Sequence, residues 1–250
     1  MVDHNIMNTV VEDAVLLHYV GMRVVLVHGG GPEITEKMKA VGKEPKFVGG
    51  LRVTDKDTLE IAQMVLAGKV NKDLVNLIQT KGGHAVGLSG IDGGIIEATI
   101  KDKALGYVGE ITKIRTQPIT DLLEKNYIPV VSTVASDRQG NVYNINGDTA
   151  AAYIAGALEA ERLIMMTDIA GILQDKDDPS TLIPHVSAAE AKKLYDEGIV
   201  SGGMIPKVDC CIEAIGHGVK NVVIMDGRIP HSILMELLTD EGAGTMVTKD

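Results

Sequence analysis

Tryptophan is absent from this 250-residue chain, and phenylalanine occurs once. A core without large aromatic rings has to be filled by Val, Ile, Leu, Ala and Met. Cysteine is scarce as well: there are two, Cys210 and Cys211, and they are adjacent. Neighbouring cysteines bridge each other only with strain, so a disulfide framework is excluded and a reducing cytoplasm is the expectation. Long apolar runs are also lacking. The longest such stretch, Val10 to Val27, is broken by Glu12, Asp13, His18, Gly21 and Arg23, which rules out a membrane span there. No basic start followed by an apolar run opens the sequence, so no signal peptide is expected. Positive charge is in deficit, with a formal net charge of −10. That excludes the basic face of a nucleic-acid binder. It leaves room for an anionic small ligand, because local charge in a cleft decides that question.

What is present is apolar and rich in glycine. Apolar residues make up 45% of the chain and there are 28 glycines, several of them clustered. The length suits one large α/β domain or two modest ones. Helical spacing covers Met1 to Tyr19, with Gly21 as the stop. Arg23 to His28 reads as a buried strand, and Pro32 opens a helix to about Val41. Thr54 to Lys81 is mostly helix, and His84 to Gly90 is strand then turn. Gly93 to Arg115 alternates like a hairpin. Further strands are expected at Tyr127–Val134, Arg162–Asp168, Lys220–Asp226 and the terminal "GTMV". Helices are expected from Asp148, from Ser187 to Glu197 with a Ser187/Glu190 capping box, after "SGGMIPKV", and from Pro230 to Leu238. The polar loop Asp175 to Ser180 reads as a solvated turn. Strands alternating with helices indicate a mostly parallel sheet covered on both faces. Ligands then sit outside the carboxyl ends of the strands.

The chemistry gathers at glycine turns. "VVLVHGGGPEI", Val24 to Ile34, is not a G-x-G-x-x-G fingerprint, because Ile34 stands at its last position; no P-loop motif and no zinc-spaced Cys/His set occurs. His28 reads as a packing or hydrogen-bonding residue. The remaining signals share one theme, the handling of anions. Gly29 to Gly31 open a helix, so backbone N–H groups there can face a negative oxygen. Arg52, in a second glycine turn, can fork onto a carboxylate. Lys207 follows Gly202 and Gly203, a pattern that brings an ammonium to a phosphate. Asp148 starts a helix after Asn144 and Asn146. Each alone has a structural explanation: a tight turn, a surface arginine, an N-cap aspartate. Together at strand ends they point to a phosphate or carboxylate site.

The segments "VVLVHGGGPEI", "GLRVTD", "AVGLSGIDGG", "VGEI", "YIPVVSTV", "NINGDTAAAYIA", "LIMMTDIAGIL" and "GGMIPKV" stand in the order found in the amino acid kinase family. Their combination resembles its acetylglutamate kinase branch over essentially the whole chain. The resemblance implies a three-layer αβα sandwich with a mostly parallel central sheet. It implies an N-terminal lobe, 1–160, for N-acetyl-L-glutamate and dimerisation, and a C-terminal lobe, 161–250, for ATP with Mg²⁺. Gly30 and Gly31 would face the reacting end of the substrate, Arg52 would grip its α-carboxylate, and Asn144 would bind the acetylamino acid. Asp148 would orient catalytic lysines and Lys207 would stabilise the transferring phosphoryl group. Asp168, Ile169, Ala170, Gly171, Ile172 and Leu173, with Ile199, Val200 and Ser201, would contact the nucleotide. No protein metal ligand is expected. A homodimer is implied, and the C-terminal "MDGRIPHSILMELLTDEGAGTMV" resembles arginine-inhibited members.

The implied reaction fits the residues. A γ-carboxylate is already ionised at neutral pH, so no general base is required. Positive charge and positioning are required instead. The family motif begins K-x-G-G-x-x-M, and Met1 matches its methionine. The expectation is therefore a longer natural protein, with a strand, a glycine turn and a catalytic lysine ahead of Met1. The competing readings are a non-catalytic protein that still binds acetylglutamate or nucleotide, and a kinase for a close analogue such as acetylaminoadipate.

Overall fold

A computed structural model describes residues 4–175 and 177–249. The first helix, α1, spans His4–Tyr19. Its expected start at Met1 lies outside the described residues, as does Lys176 in the polar loop. The chain forms two compact units, one of residues 14–150 and one of residues 4–13 with 151–249.

The first unit begins with β1 (Leu26–His28), α2 (Gly31–Ala40) and a tight hairpin of β2 (Phe47–Val48) and β3 (Leu51–Arg52). The expected long helix follows in three pieces: α3 (Lys56–Gln63), a π-helical segment Met64–Val70, and α4 (Asn71–Thr80). Then come β4 (Ala85–Ser89), β5 (Ile96–Ile100), β6 (Gly109–Ile114), α5 (Gln117–Glu124), β7 (Ile128–Ser132), β8 (Val134–Ser136), β9 (Val142–Asn144) and α6 (Gly147–Ala157). Strands β1, β7 and β4 make a three-stranded parallel sheet in that order. In its centre β7 is buried along its whole length, which is why "IPVVS" reads as a continuous apolar run. The expected strand Arg23–His28 is shorter and only half-buried, because β1 pairs on one side alone among the described residues. The expected hairpin is β5 with β6, antiparallel, inside a four-stranded sheet of order β6-β5-β8-β9.

The second unit carries β10 (Arg162–Thr167), β11 (His185–Ser187), α7 (Ala188–Asp196), α8 (Ile205–Gly216), β12 (Asn221–Asp226), α9 (Ser232–Leu238) and β13 (Gly244–Thr248). Their sheet has the order β10-β12-β13-β11, parallel except where β13 runs against β12. Met165, Ile172, Val200, Val208, Cys211, Val222, Ile224 and Val247 form its core. Both cysteines are buried and neither is in a disulfide. The Ser187/Glu190 capping box closes in both directions, at 3.2 and 2.8 Å. The helix expected from Pro230 starts two residues later. His231 occupies the left-handed region at φ 58°, and its Nδ1 meets the buried Asp13 carboxylate at 2.6 Å.

The helix expected from Thr54 begins at Lys56 because Asp55 caps it, accepting the Thr58 N–H at 2.9 Å. The same carboxylate takes the Lys43 ammonium at 2.6 Å, and these two contacts hold its pKa down at about 2, below the ordinary 3.8. A depressed folded pKa contributes stability that is present above the ordinary value and lost as pH falls through the folded one. The stability difference between the wild type and Asp55→Asn is therefore expected to be constant at neutral pH and to vanish between about pH 4 and pH 2. Urea unfolding across that range checks it.

Candidate active site

In the first unit, the turn after β1, the β2–β3 hairpin and the chain entering α6 enclose a cavity of about 190 Å³, lined by Gly29–Gly31, Arg52, Asn144 and Gly147 among others. Four of the residues singled out by the sequence, Gly30, Gly31, Arg52 and Asn144, thus meet around one space.

Arg52 governs its chemistry. The residue is only 7% exposed. Its Nη2 donates to the Gly31 carbonyl at 2.8 Å and to Thr35 Oγ1 at 2.9 Å, and Nη1 reaches Met38 Sδ at 3.3 Å. The ring of Phe47 covers the guanidinium at 4.8 Å. No carboxylate pairs with it among the described residues, and burial pushes its pKa down. A buried guanidinium held by neutral dipoles and an aromatic face is a charge awaiting an anion. Thr54, fully buried, links it to the opposite wall. Its hydroxyl donates to the Arg52 carbonyl at 2.8 Å and receives the Asn144 Nδ2 at 3.3 Å. Sequence reasoning quoted Thr54 inside "GLRVTD" but gave it no role, because its partners lie in other elements.

The three glycines owe nothing to left-handed backbone, since none of them has positive φ. Their reason is space. A Cβ on Gly30 would lie 2.9 Å from Leu66 Cδ2 and 3.3 Å from Val70 Cγ2, both on the π-helical segment. Gly29 has nothing within 4 Å of that position, and Gly31 only Arg52 Nη2 at 3.9 Å. Gly30 is where the helix closes on the turn; Gly29 and Gly31 have room at their Cβ positions. His28 behaves as the sequence suggests. Its Nδ1–H donates to the Gly29 carbonyl at 2.8 Å, which leaves Nε2 to accept from Asn71 Nδ2 at 3.1 Å. Burial pushes its pKa down, so the ring is neutral. Asn71 also donates to the Leu88 and Val130 carbonyls, tying α4 to β4 and β7.

Asp148 lies in the first turn of α6, half-buried. It is not the cap of that helix: Asn146 is, its Oδ1 accepting the Thr149 N–H at 3.0 Å. The Asp148 carboxylate stands at a helix N-terminus, where the helix dipole favours negative charge. In the second unit, Asp168 to Leu173 leave the carboxyl end of β10, with Asp168 exposed. The Ile172 and Val200 side chains belong to the core, and the Ile172 N–H donates to Thr245 Oγ1 at 2.8 Å, the Ile172 carbonyl accepts from the Ile183 N–H at 2.9 Å, and the Val200 N–H donates to the Leu194 carbonyl at 3.1 Å. Ile199 to Ser201 follow α7, and Ser201 precedes a 3₁₀ turn, Gly202–Met204, that leads into α8. Lys207 sits half-buried in the first turn of α8. Among the described residues no three His, Cys, Asp or Glu side chains are grouped to hold a metal ion.

Comparison with known proteins agrees with this chemistry. The model of the amino acid kinase family matches residues 1–226, and the chain belongs to that family. It is 52% identical over 248 residues to acetylglutamate kinase of Thermosynechococcus vestitus, covering 99% of this chain and 84% of that one. It is 49% identical over 261 residues to acetylglutamate kinase of Pelotomaculum thermopropionicum, covering 100% and 88%. Among solved structures it is similar to N-acetylglutamate synthase from Neisseria gonorrhoeae. In the complex with coenzyme A and N-acetyl-glutamate the TM-score is 0.86 at 28% identity, over 99% of this chain and 57% of that one. In the complex with coenzyme A and L-arginine it is 0.83 at 26%, over 99% and 59%.

The crowding at Gly30 and the space at Gly29 make a paired prediction. Gly30→Val, aimed into Leu66 and Val70, is expected to destabilise the protein by about 1–3 kcal/mol through overpacking. Gly29→Ala, which meets nothing, is expected to leave the thermal midpoint within a degree or two of wild type. Thermal unfolding of both variants checks it; equal midpoints would place the π-helical segment elsewhere.

Proposed function

We propose that the chain transfers the γ-phosphoryl group of ATP to the γ-carboxylate of N-acetyl-L-glutamate, giving N-acetyl-L-glutamyl 5-phosphate, the acetylglutamate kinase step of arginine biosynthesis. One observation carries the assignment of the substrate site: Arg52 is a buried cation without a carboxylate partner among the described residues, beside a glycine turn in one cavity. In this reading its remaining N–H donors take the α-carboxylate, Asn144 takes the acetylamino group, and Gly30 and Gly31 lie against the reacting carboxylate. In this reading residues 1–160 are the acetylglutamate lobe, a range that contains the first unit, 14–150, and residues 161–250 are the nucleotide lobe, with Asp168 to Leu173 and Ile199 to Ser201 against ATP.

The reaction asks for charge neutralisation. The acceptor is an anion approaching a polyanion, so the barrier falls with every positive charge and N–H dipole aimed at the transferring group. In this reading Lys207 supplies an ammonium to the transferring group, and Asp148 is the carboxylate assigned to orienting catalytic lysines. Mg²⁺ would enter on the phosphates of ATP, as it does where no protein cage is offered. A homodimer, a cytoplasmic setting and feedback inhibition by arginine belong to the same reading. The last is supported by the likeness to a synthase solved with L-arginine.

Incubating the chain with ATP, Mg²⁺ and N-acetyl-L-glutamate, and trapping the acyl phosphate with hydroxylamine, tests the reaction. Hydroxamate is expected only when all three are present. Lys207→Ala is expected to lower its rate by about 10²–10³, the usual cost of one preorganised charge donor. A Lys207→Ala rate equal to wild type would remove that residue from the chemistry.

A further inference from the structure

Within the second unit, the segment after β10 is pinned at both ends by side chains from distant parts of the sequence. At its start, Arg228 reaches across from the turn after β12. Its Nε donates to Asp226 Oδ1 at 2.9 Å and its Nη2 to Asp226 Oδ2 at 2.8 Å, a bidentate fork. The Arg228 backbone N–H donates to the same Oδ1 at 2.8 Å. Nη2 then gives a second bond, at 2.7 Å, to the Asp168 carbonyl. Beside it the Gly227 N–H donates to the Thr167 carbonyl at 2.8 Å. Two strand ends that are neighbours in the sheet are thereby stitched together beyond their last ladder bond.

At the far end, the buried Thr245 on β13 accepts the Ile172 N–H at 2.8 Å and donates to the Ile183 carbonyl at 2.7 Å. Gly171, at φ 149°, has no room for a side chain, since a Cβ would come within 2.5 Å of Thr245 Oγ1. Ile169 and Ala170 span the interval between the two anchors. The Arg228 side chain is 59% exposed, and its Nη1 makes no hydrogen bond among the described residues. An exposed guanidinium gains little from a surface ion pair alone. Here the geometry is directed: Asp226, mostly buried, fixes the fork, and the fork fixes a backbone carbonyl at the carboxyl end of a parallel strand pair, where α/β sheets receive ligands.

We infer that Arg228 is a positioning residue for the nucleotide: it holds the Asp168 carbonyl so that the Asp168–Leu173 segment is already shaped for ATP before ATP arrives. The inference rests on the nucleotide role given to that segment above. Preorganisation of this kind is read as affinity, because a loop that must order on binding charges its entropy to the ligand. Arg228 differs from a general scaffold residue in acting on one substrate only. Lysine replaces it poorly, since one ammonium cannot fork onto Asp226 and also reach the Asp168 carbonyl in the same plane.

The test is MgADP affinity by calorimetry, and the KM values for ATP and for acetylglutamate, in the wild type, Arg228→Ala and Arg228→Lys. Wild type is expected to bind MgADP. Arg228→Ala is expected to bind it about tenfold more weakly, as the loss of a charge-assisted hydrogen bond predicts, and to raise the KM for ATP alike while the KM for acetylglutamate stays within twofold. Arg228→Lys is expected to fall between the two. Wild-type MgADP affinity in both variants would overturn the inference while leaving the nucleotide reading intact. A parallel rise in both KM values would overturn it in favour of a purely structural role. A wild type that binds no MgADP would overturn the nucleotide reading itself, and the inference with it.

Discussion

A positive charge, Arg52, is kept inside the first unit, and no negative one meets it among the described residues. Burying a guanidinium costs several kcal/mol unless its surroundings compensate. Around Arg52 the compensation is partial and neutral: the Gly31 carbonyl, the Thr35 hydroxyl, the Met38 sulfur and the face of Phe47. The chain has a single phenylalanine, and it covers this cation. Much of the surrounding structure keeps that arrangement in place. The short hairpin carries both Phe47 and Arg52, paired in register. Thr54 fixes the Arg52 carbonyl and reaches Asn144. The glycine turn offers Gly31 as acceptor while its neighbours leave room. In the proposed reading an incoming carboxylate completes the compensation, and the partial compensation of Arg52 becomes affinity for an anion.

The second unit solves a different problem. In the proposed reading it receives a nucleotide, whose polyphosphate is large and flexible in its demands. The candidate nucleotide segments put Ile172 and Val200 into the core. Their side chains anchor the chain, and the Ile172 N–H and carbonyl and the Val200 N–H are bonded to Thr245, Ile183 and Leu194, so these two residues shape their segments. Precision then depends on how the segment is fixed, through Arg228 and Asp226 at one end and Thr245 at the other. The strong fork sits where the sheet ends, the place at which parallel strands open their carboxyl ends to solvent.

Much of this was legible in the sequence, because local rules decide it. The Ser187/Glu190 capping box, the proline-led α2 and the apolar centre strand β7 follow from neighbours a few residues away. The family resemblance named Gly30, Gly31, Arg52 and Asn144 together, and the fold brings these four to one cavity. Contacts across the fold were not legible. Arg52 reads as a surface arginine until β2 and β3 pair and bring Phe47 over it. Gly30 reads as a flexible turn residue until Leu66 and Val70 close on it. The helix from Asp55 to Thr80 has an unbroken pattern, and nothing in it marks where the hydrogen-bond spacing widens into a π segment. Asp148 reads as a cap because aspartate caps helices, but Asn146 is placed to do so and does. The strand Arg23–His28 reads as buried from its composition, whereas β1 has a partner on one side only among the described residues.

The central claim is that the buried charge of Arg52 is the receptor for the substrate's α-carboxylate. Titration calorimetry of N-acetyl-L-glutamate against the wild type and Arg52→Gln, without nucleotide, addresses it directly, with the α-amide of the ligand as a control. The account predicts that the variant binds acetylglutamate at least a hundredfold more weakly, and that the amide, which lacks the charge, binds equally weakly to both proteins. Equal affinity of the wild type and Arg52→Gln for acetylglutamate would contradict it.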